Sequence, residues 1–431
     1  MLIISKVFNS PFVRNVAIAA SGTAGAQAVL IAFSPFVTRI YGPEPLGLLG
    51  VFIAFAGLLT PIATLAYSSA IVLPPSQENA NHLVWISIYI CIVTTVTVGI
   101  LLLLGGKQLL ALTNSEAISS FMLFIPLRMF FSGCYLTTEQ WLIRNNLFRI
   151  IATFAIINAI IISLVKVGTG LFIPQASTLI FISTLGLGLH AGMLYYGSTK
   201  ARCSFNAPKI NDFMGLFDNA KRYSDFPFYR MPQLLIRTAS ESLPVILVAS
   251  FFGPLSAGYY ALSRKVLGIP STLIGNSIGD VFYPKITKAA QQGQNIYGLV
   301  MKATILMGCL GLIPYGLLIL FGPMAFEFVF GTGWQDAGEY ARWLSVWLFF
   351  FLLSVPCARV LPVIQGLKFH LFFSCVSIIV QLSSLIIGFF LYKDDIIAIA
   401  LFSASGAVMY FLFVLLVLMK CKNFNLVRNT A

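Results

Sequence analysis

The chain has 431 residues, of which 58% are apolar and only 10% are charged. An ordinary soluble domain carries about 25% charged residues, so composition excludes a water-surrounded globule of this length. The formal charge of +13 would suit a nucleic-acid binder, but Lys and Arg concentrated in the cytoplasmic loops of a membrane protein give the same excess, and no nucleic acid is expected. The seven cysteines stand apart with no C-x-x-C, and His82, His190 and His370 are scattered. Neither a disulfide frame, a metal site nor a cofactor is indicated.

At the N-terminus, Lys6 and Arg14 precede an apolar stretch containing Ala24-Gly25-Ala26, a pattern shared with cleavable signal peptides. The apolar run continues from Gln27 through Val37, which predicts an uncleaved first span near 15–38. A polar stripe of Thr23, Gln27, Ser34 and Thr38 ends at Arg39 and marks one face of that span. Further apolar runs long enough to cross a bilayer predict spans near 47–73, 83–104, 117–138, 150–168 and 174–196. A long polar stretch, 197–231, follows. The remaining spans are predicted near 232–252, 257–282, 297–321, 338–358, 369–392 and 396–419, with the longest external segment near 322–337. The reading is an all-α polytopic membrane protein of about twelve transmembrane helices.

Orientation follows from Lys and Arg. With the N-terminus inside, 17 of the 27 fall in internal loops, five in external loops or at the external ends of spans, and five deeper within spans. Positive loops stay in the cytoplasm, so both termini are expected there. The halves also resemble each other. Tyr41-Gly42-Pro43 with Gly47 matches Phe252-Gly253-Pro254 with Gly258 at an offset of 211, and Leu73-Pro74 matches Tyr283-Pro284 at 210. Six spans per half give a parallel repeat, a recurrent transporter plan in which two bodies rock about a central site. The expected organisation is an N-terminal six-helix bundle over 1–196, a cytoplasmic linker over 197–231 and a C-terminal six-helix bundle over 232–431.

Charges inside spans are costly and mark cavities or partners. Arg264 and Lys265, adjacent in the eighth span, have Ile53 and Ala54 as counterparts at the offset of 211. They suit an anion such as pyrophosphate, with forked donors from Arg and a point charge from Lys; the alternative is snorkelling to the outer interface. Arg237 and Glu241 share a helix face at i,i+4, either as a self-neutralising pair or as one broken during a cycle. Arg128 and Arg359 complete the cationic candidates, and Arg39, Glu139, Glu241 and Asp280 are candidates for coupling or gating. His190 and Gly188-x-x-x-Gly192 read as close packing in the sixth span. No G-x-x-x-x-G-K-[ST] loop is present, so no ATP hydrolysis by this chain is expected.

The pattern R-I-Y-G-P-x-x-x-G-L after the first span, and G-P-x-x-x-G-Y-Y-A-L-S-R-K after the seventh, resemble the polysaccharide-exporting branch of the multidrug/oligosaccharidyl-lipid/polysaccharide exporter superfamily. So do Tyr283-Pro284-Lys285 and the segment from Phe321-Gly322-Pro323 through Gly333-Trp334 to Leu344. The resemblance covers nearly the whole chain, with O-antigen flippases nearest. It implies two six-helix bundles in a V around a central cavity. It further implies a non-enzymatic flippase that carries undecaprenyl-pyrophosphate-linked oligosaccharide across the bacterial inner membrane. Membrane lipids, a polysaccharide polymerase and chain-length machinery would be its partners. Two alternatives stay open: a drug or organic-cation antiporter of the same superfamily, for which a net acidic cavity is expected, and a polymerase or ligase, for which a sizeable external domain is expected.

Overall fold

The computed structural model describes residues 11–112, 116–205, 213–292 and 294–430; Lys6, at the proposed signal-like start, lies outside them. The described residues are helical almost throughout. In chain order the helices are α1 (Pro11–Tyr41), α2 (Pro43–Ala63), α3 (Gln77–Leu112), α4 (Phe124–Arg144), α5 (Phe148–Gly170) and α6 (Ala176–Lys200). A short α7 (Phe213–Arg222) and a single π turn (Phe226–Arg230) lead into α8 (Met231–Gln291). Then follow α9 (Ile296–Phe330), α10 (Gln335–Val360), α11 (Leu367–Tyr392) and α12 (Asp395–Thr430).

Among the described residues, ten segments are long and apolar enough to cross a membrane. That set treats α8 as one segment and omits α4, which carries Arg128, Glu139 and Arg144. Yet α8 is two rods. Its backbone leaves the helical region at Gly253 (φ 87, ψ 177), between the predicted seventh and eighth spans. Counting its arms separately and adding α4 gives twelve rods, matching the twelve predicted spans and making this an all-α, multi-pass membrane protein.

The two matched Gly-Pro motifs break the chain in the same way. Gly42 (φ 71, ψ 179) and Gly253 (φ 87, ψ 177) share a conformation reserved in practice for glycine. Each is followed by a Pro that starts the next rod, where its missing N–H leaves no bond unmade. Some predicted borders move. The sequence predicts the second span over 47–73, but α2 stops at Ala63 because Leu65 and Ala66 turn into the left-handed region (φ 46 and 61). The external segment near 322–337 shrinks to four residues, since α9 continues past Pro323 to Phe330 and α10 starts at Gln335.

The chain forms two compact units, Met1–Ala257 and Gly258–Ala431. The boundary lies four residues after Gly253, so the first arm of α8 belongs to the first unit. In that unit α1 packs on α5 and α4 on α6. Its core includes Tyr41, Phe52, Ile125, Leu179 and Ile180. One end of this unit is tied together by polar contacts. Arg144 donates to the carbonyls of Ile71 (3.2 Å) and Ser76 (3.1 Å), and Trp141 Nε1 donates to the carbonyl of Cys203. The α2–α3, α4–α5 and post-α6 connections therefore sit at one end, as alternation of the spans requires. In the second unit α10 packs on both α9 and α12, and α11 on α12, around Ile286, Val300, Val360, Val417 and their neighbours.

Candidate functional site

In the second unit the charged candidate with the most telling surroundings is Arg264. Its rod starts at Pro254, so Arg264 lies ten residues in, about 15 Å along the helix axis. A helix that crosses a hydrocarbon core about 30 Å thick has about twice that length. Ser263, wholly buried, ties the helix to α10 by donating to the carbonyl of Ala337 (2.6 Å). The half-buried Arg264 turns aside from that seam, and its guanidinium carbon stands 4.7 Å from the ring centroid of Trp347 on α10. Trp347 is held edge-on by Phe402 at 5.2 Å, and Phe402 in turn by Tyr260 at 6.3 Å. Tyr260, Tyr315 and Tyr410 all lie within electrostatic reach of the cation.

No described residue accepts a hydrogen bond from Arg264. The indole holds one face of the guanidinium by attraction to the ring quadrupole, which leaves the N–H edge for other partners. A charge within a span is expensive, and a guanidinium fork suits a phosphate oxygen pair. Lys265, about 100° further round the helix, is exposed. The two adjacent cations thus point in different directions, and only Arg264 lies over a ring.

In the first unit the charged candidates are engaged. Arg128 on α4 donates through Nη1 to the carbonyl of Ser183 on α6 (2.7 Å). One further pair keeps the same register: the rings of Tyr135 and His190 meet at a tilt of 40° with centroids 4.8 Å apart, so α4 and α6 run parallel. Tyr135 also donates to Glu139 Oε1 (2.6 Å), which makes a half-buried line of Glu139, Tyr135 and His190. The Nε2 of His190 is buried with no described partner. Gly188 brings α6 close to Phe131 of α4, as read from the small-residue pattern, whereas Gly192 faces open space.

Arg237 and Glu241 form the i,i+4 pair expected from their spacing, at 3.4 Å, with side chains 76% and 60% exposed. Such a pair is worth only a few tenths of a kcal/mol, so it is easily opened. Arg39 and Arg359 are exposed at the ends of α1 and α10. The side chain of Asp280 lies outside the described residues. The polar stripe of α1 divides in two. Ser34 and Thr38 are buried and donate to their own helix, at the carbonyls of Ile31 and Pro35, while Thr23 and Gln27 are exposed.

Sequence reasoning did not single out Trp347 or Tyr135. Trp favours membrane interfaces, so a Trp twelve residues into a span was itself a signal. Tyr135 stands four residues before Glu139, on the same face.

Solved structures share this fold. An inward-facing MATE family multidrug resistance transporter of the MOP superfamily superposes with a TM-score of 0.70 at 12% identity, covering 94% of this chain and 98% of its own. Lipid II flippase MurJ, in an inward closed conformation, gives 0.70 at 14% identity, covering 95% and 91%. An outward-facing MATE family transporter of the MOP superfamily gives 0.59 at 13% identity over 96% of each chain. At these identities the likeness concerns fold. No curated protein matches the sequence. The family described as "Polysaccharide biosynthesis protein" matches residues 36–339, the greater part of the chain and the stretch that holds both Gly-Pro motifs, Arg264 and Lys265. On that match, and on a fold shared with MOP superfamily transporters, this chain belongs to the polysaccharide biosynthesis protein family.

Proposed function

We propose that the protein is a flippase that moves an undecaprenyl-pyrophosphate-linked oligosaccharide across the bacterial inner membrane for O-antigen or a related surface polysaccharide. The observation that carries this reading is Arg264, stacked on Trp347 about 15 Å into its helix, with no described residue accepting from its N–H edge. A diphosphate cannot cross an apolar core bare, because an isolated anion there costs many kcal/mol. A guanidinium within the span would lower that barrier. Lys265, Arg237, Arg128 and Arg359 would supply further positive charge along the path, and several weak sites move a head group better than one deep trap. In this reading transport is by alternating access, both termini are cytoplasmic, and the polymerase and chain-length machinery act downstream. An organic-cation substrate is disfavoured, since Arg264 and Lys265 are both basic.

The test is surface-polysaccharide display in cells lacking the native protein. Replacing Arg264 and Lys265 together by Ala should abolish display while leaving protein level and membrane insertion intact. Normal display from that double variant would overturn the assignment of this pair to the substrate path.

A further inference from the structure

Helix α7 is not used by the transport reading, yet it is built with care. One side is fixed to the first unit. The Nδ2 of Asn219, buried, has three partners within hydrogen-bond distance for its two hydrogens: Asn79 Oδ1 (3.2 Å), His82 Nδ1 (3.2 Å) and the carbonyl of Gly215 (2.8 Å). Tyr67 donates from α2–α3 to the carbonyl of Ala220 (2.9 Å). Leu216, Ala220, Tyr223 and Phe226 close over the cluster of Ile71, Leu83 and Trp141. At 100° per residue these buried positions form one arc. Met214, Phe217 and Lys221 form another, on the far side.

That far side is apolar and basic together. Met214 is 76% exposed and Phe217 61%, and in the π turn Phe228 and Tyr229 are each 74% exposed. Lys221, Arg222 and Arg230 are exposed beside them, as are Lys200 and Arg202 at the end of α6, against the acidic Asp218 and Asp225. Arg230 gives one donor to Gln233 (2.7 Å) and Arg222 lies over Tyr223 at 5.8 Å. Four large apolar side chains in water would be unfavourable, and this segment emerges from the end of a membrane helix. A helix with apolar residues flanked by Lys and Arg suits the headgroup boundary of a bilayer, where basic residues reach phosphates while their stems stay among acyl chains.

We propose that α7 and the turn after it are a docking surface for anionic phospholipid. Met214, Phe217, Phe228 and Tyr229 enter the headgroup–acyl boundary, and Lys221, Arg222 and Arg230 bind lipid phosphates. Each basic residue near an anionic surface is worth about fivefold in the embedded-to-free ratio, so the three together are worth about a hundredfold.

The experiment uses the full chain with Cys309, an exposed thiol, replaced by Ser and with Phe217→Cys carrying an environment-sensitive fluorophore; the same protein without Phe217→Cys is the blank. It is reconstituted with brominated quencher lipids in bilayers of phosphatidylcholine alone, or of phosphatidylcholine and phosphatidylglycerol in equal parts. Strong quenching in the anionic bilayer is expected. It should fall in phosphatidylcholine and in the variant with Lys221→Gln, Arg222→Gln and Arg230→Gln, whose buried α7 face is unchanged. Equal quenching in both bilayers, or no effect of the triple substitution, would remove the anionic recognition. No quenching in either would show that water, another protein or a second copy meets this face, and would overturn the proposal outright.

Discussion

Consider replacing Arg264 alone, as Ala, as Lys, and with Trp347→Phe as a companion. A guanidinium fork on phosphate makes two charge-assisted hydrogen bonds, each worth about 1.5–3 kcal/mol. Losing both in Arg264→Ala removes about 3–6 kcal/mol from anion binding, more than a hundredfold by the rule of tenfold per 1.4 kcal/mol. Arg264→Lys keeps the charge but not the planar fork, so it should forfeit about one bond, roughly 10–150-fold. Trp347→Phe keeps a ring under the cation 4.7 Å away but weakens its quadrupole, since indole is the best face for a cation. It should cost less than tenfold. It should also fold well, because the lost Nε1 is buried with no described partner. The assay is the initial rate at which a pyrophosphate-linked lipid becomes accessible on the far side of vesicles holding the purified protein, with quantity and orientation matched. The expected order of loss is Ala, then Lys, then Phe. Wild-type rates from Arg264→Ala would refute the reasoning, and so would a greater loss from Trp347→Phe than from Arg264→Lys.

The glycine breaks can be tested by melting the protein in detergent and following dye labelling of the buried thiols Cys91, Cys357 and Cys421. Gly253→Ala and Gly42→Ala should each cost about 1–3 kcal/mol, purely from backbone strain, because a Cβ would meet nothing within 4 Å at either place. Gly316→Ala, in helical backbone with equally open space, should instead be neutral or stabilising by about 0.5–1 kcal/mol; a uniform response at all three would contradict the assignment. Tyr135→Phe leaves Glu139 without its 2.6 Å donor and should lower stability by about 1.5–3 kcal/mol, so an unchanged melt would mean that water replaces the phenol. Reporter fusions after Arg222 and at the C-terminus should read as cytoplasmic and one after Pro254 as periplasmic; an external Arg222 would reverse the proposed orientation.

The rods were legible because apolar length is a strong signal, and even the break between the seventh and eighth spans showed as Gly253-Pro254. Borders were less legible where backbone angles decide them. Leu65 and Ala66 carry no mark in the sequence of their left-handed turn, and Pro323 looks like a terminator yet sits inside α9. For the candidate site, local pairs could be read directly, as with Arg237 and Glu241 at i,i+4. Long-range ones could not. Nothing in the sequence around Arg264 names Trp347, 83 positions on, as the ring beneath it. Nor does anything around Arg128 name Ser183, whose contribution is a backbone carbonyl and so is independent of residue type.

That last contact bears on how the protein is made. Helix α4 is too polar to rank among the apolar spans, and the carbonyl that accepts from its Arg128 lies 55 residues downstream. At about 5–20 residues per second, α4 is synthesised roughly 3–11 s before Ser183 exists. Throughout that interval the guanidinium lacks its acceptor on α6, so the hydrogen bond that joins the two parallel helices can form only after α6 has been made.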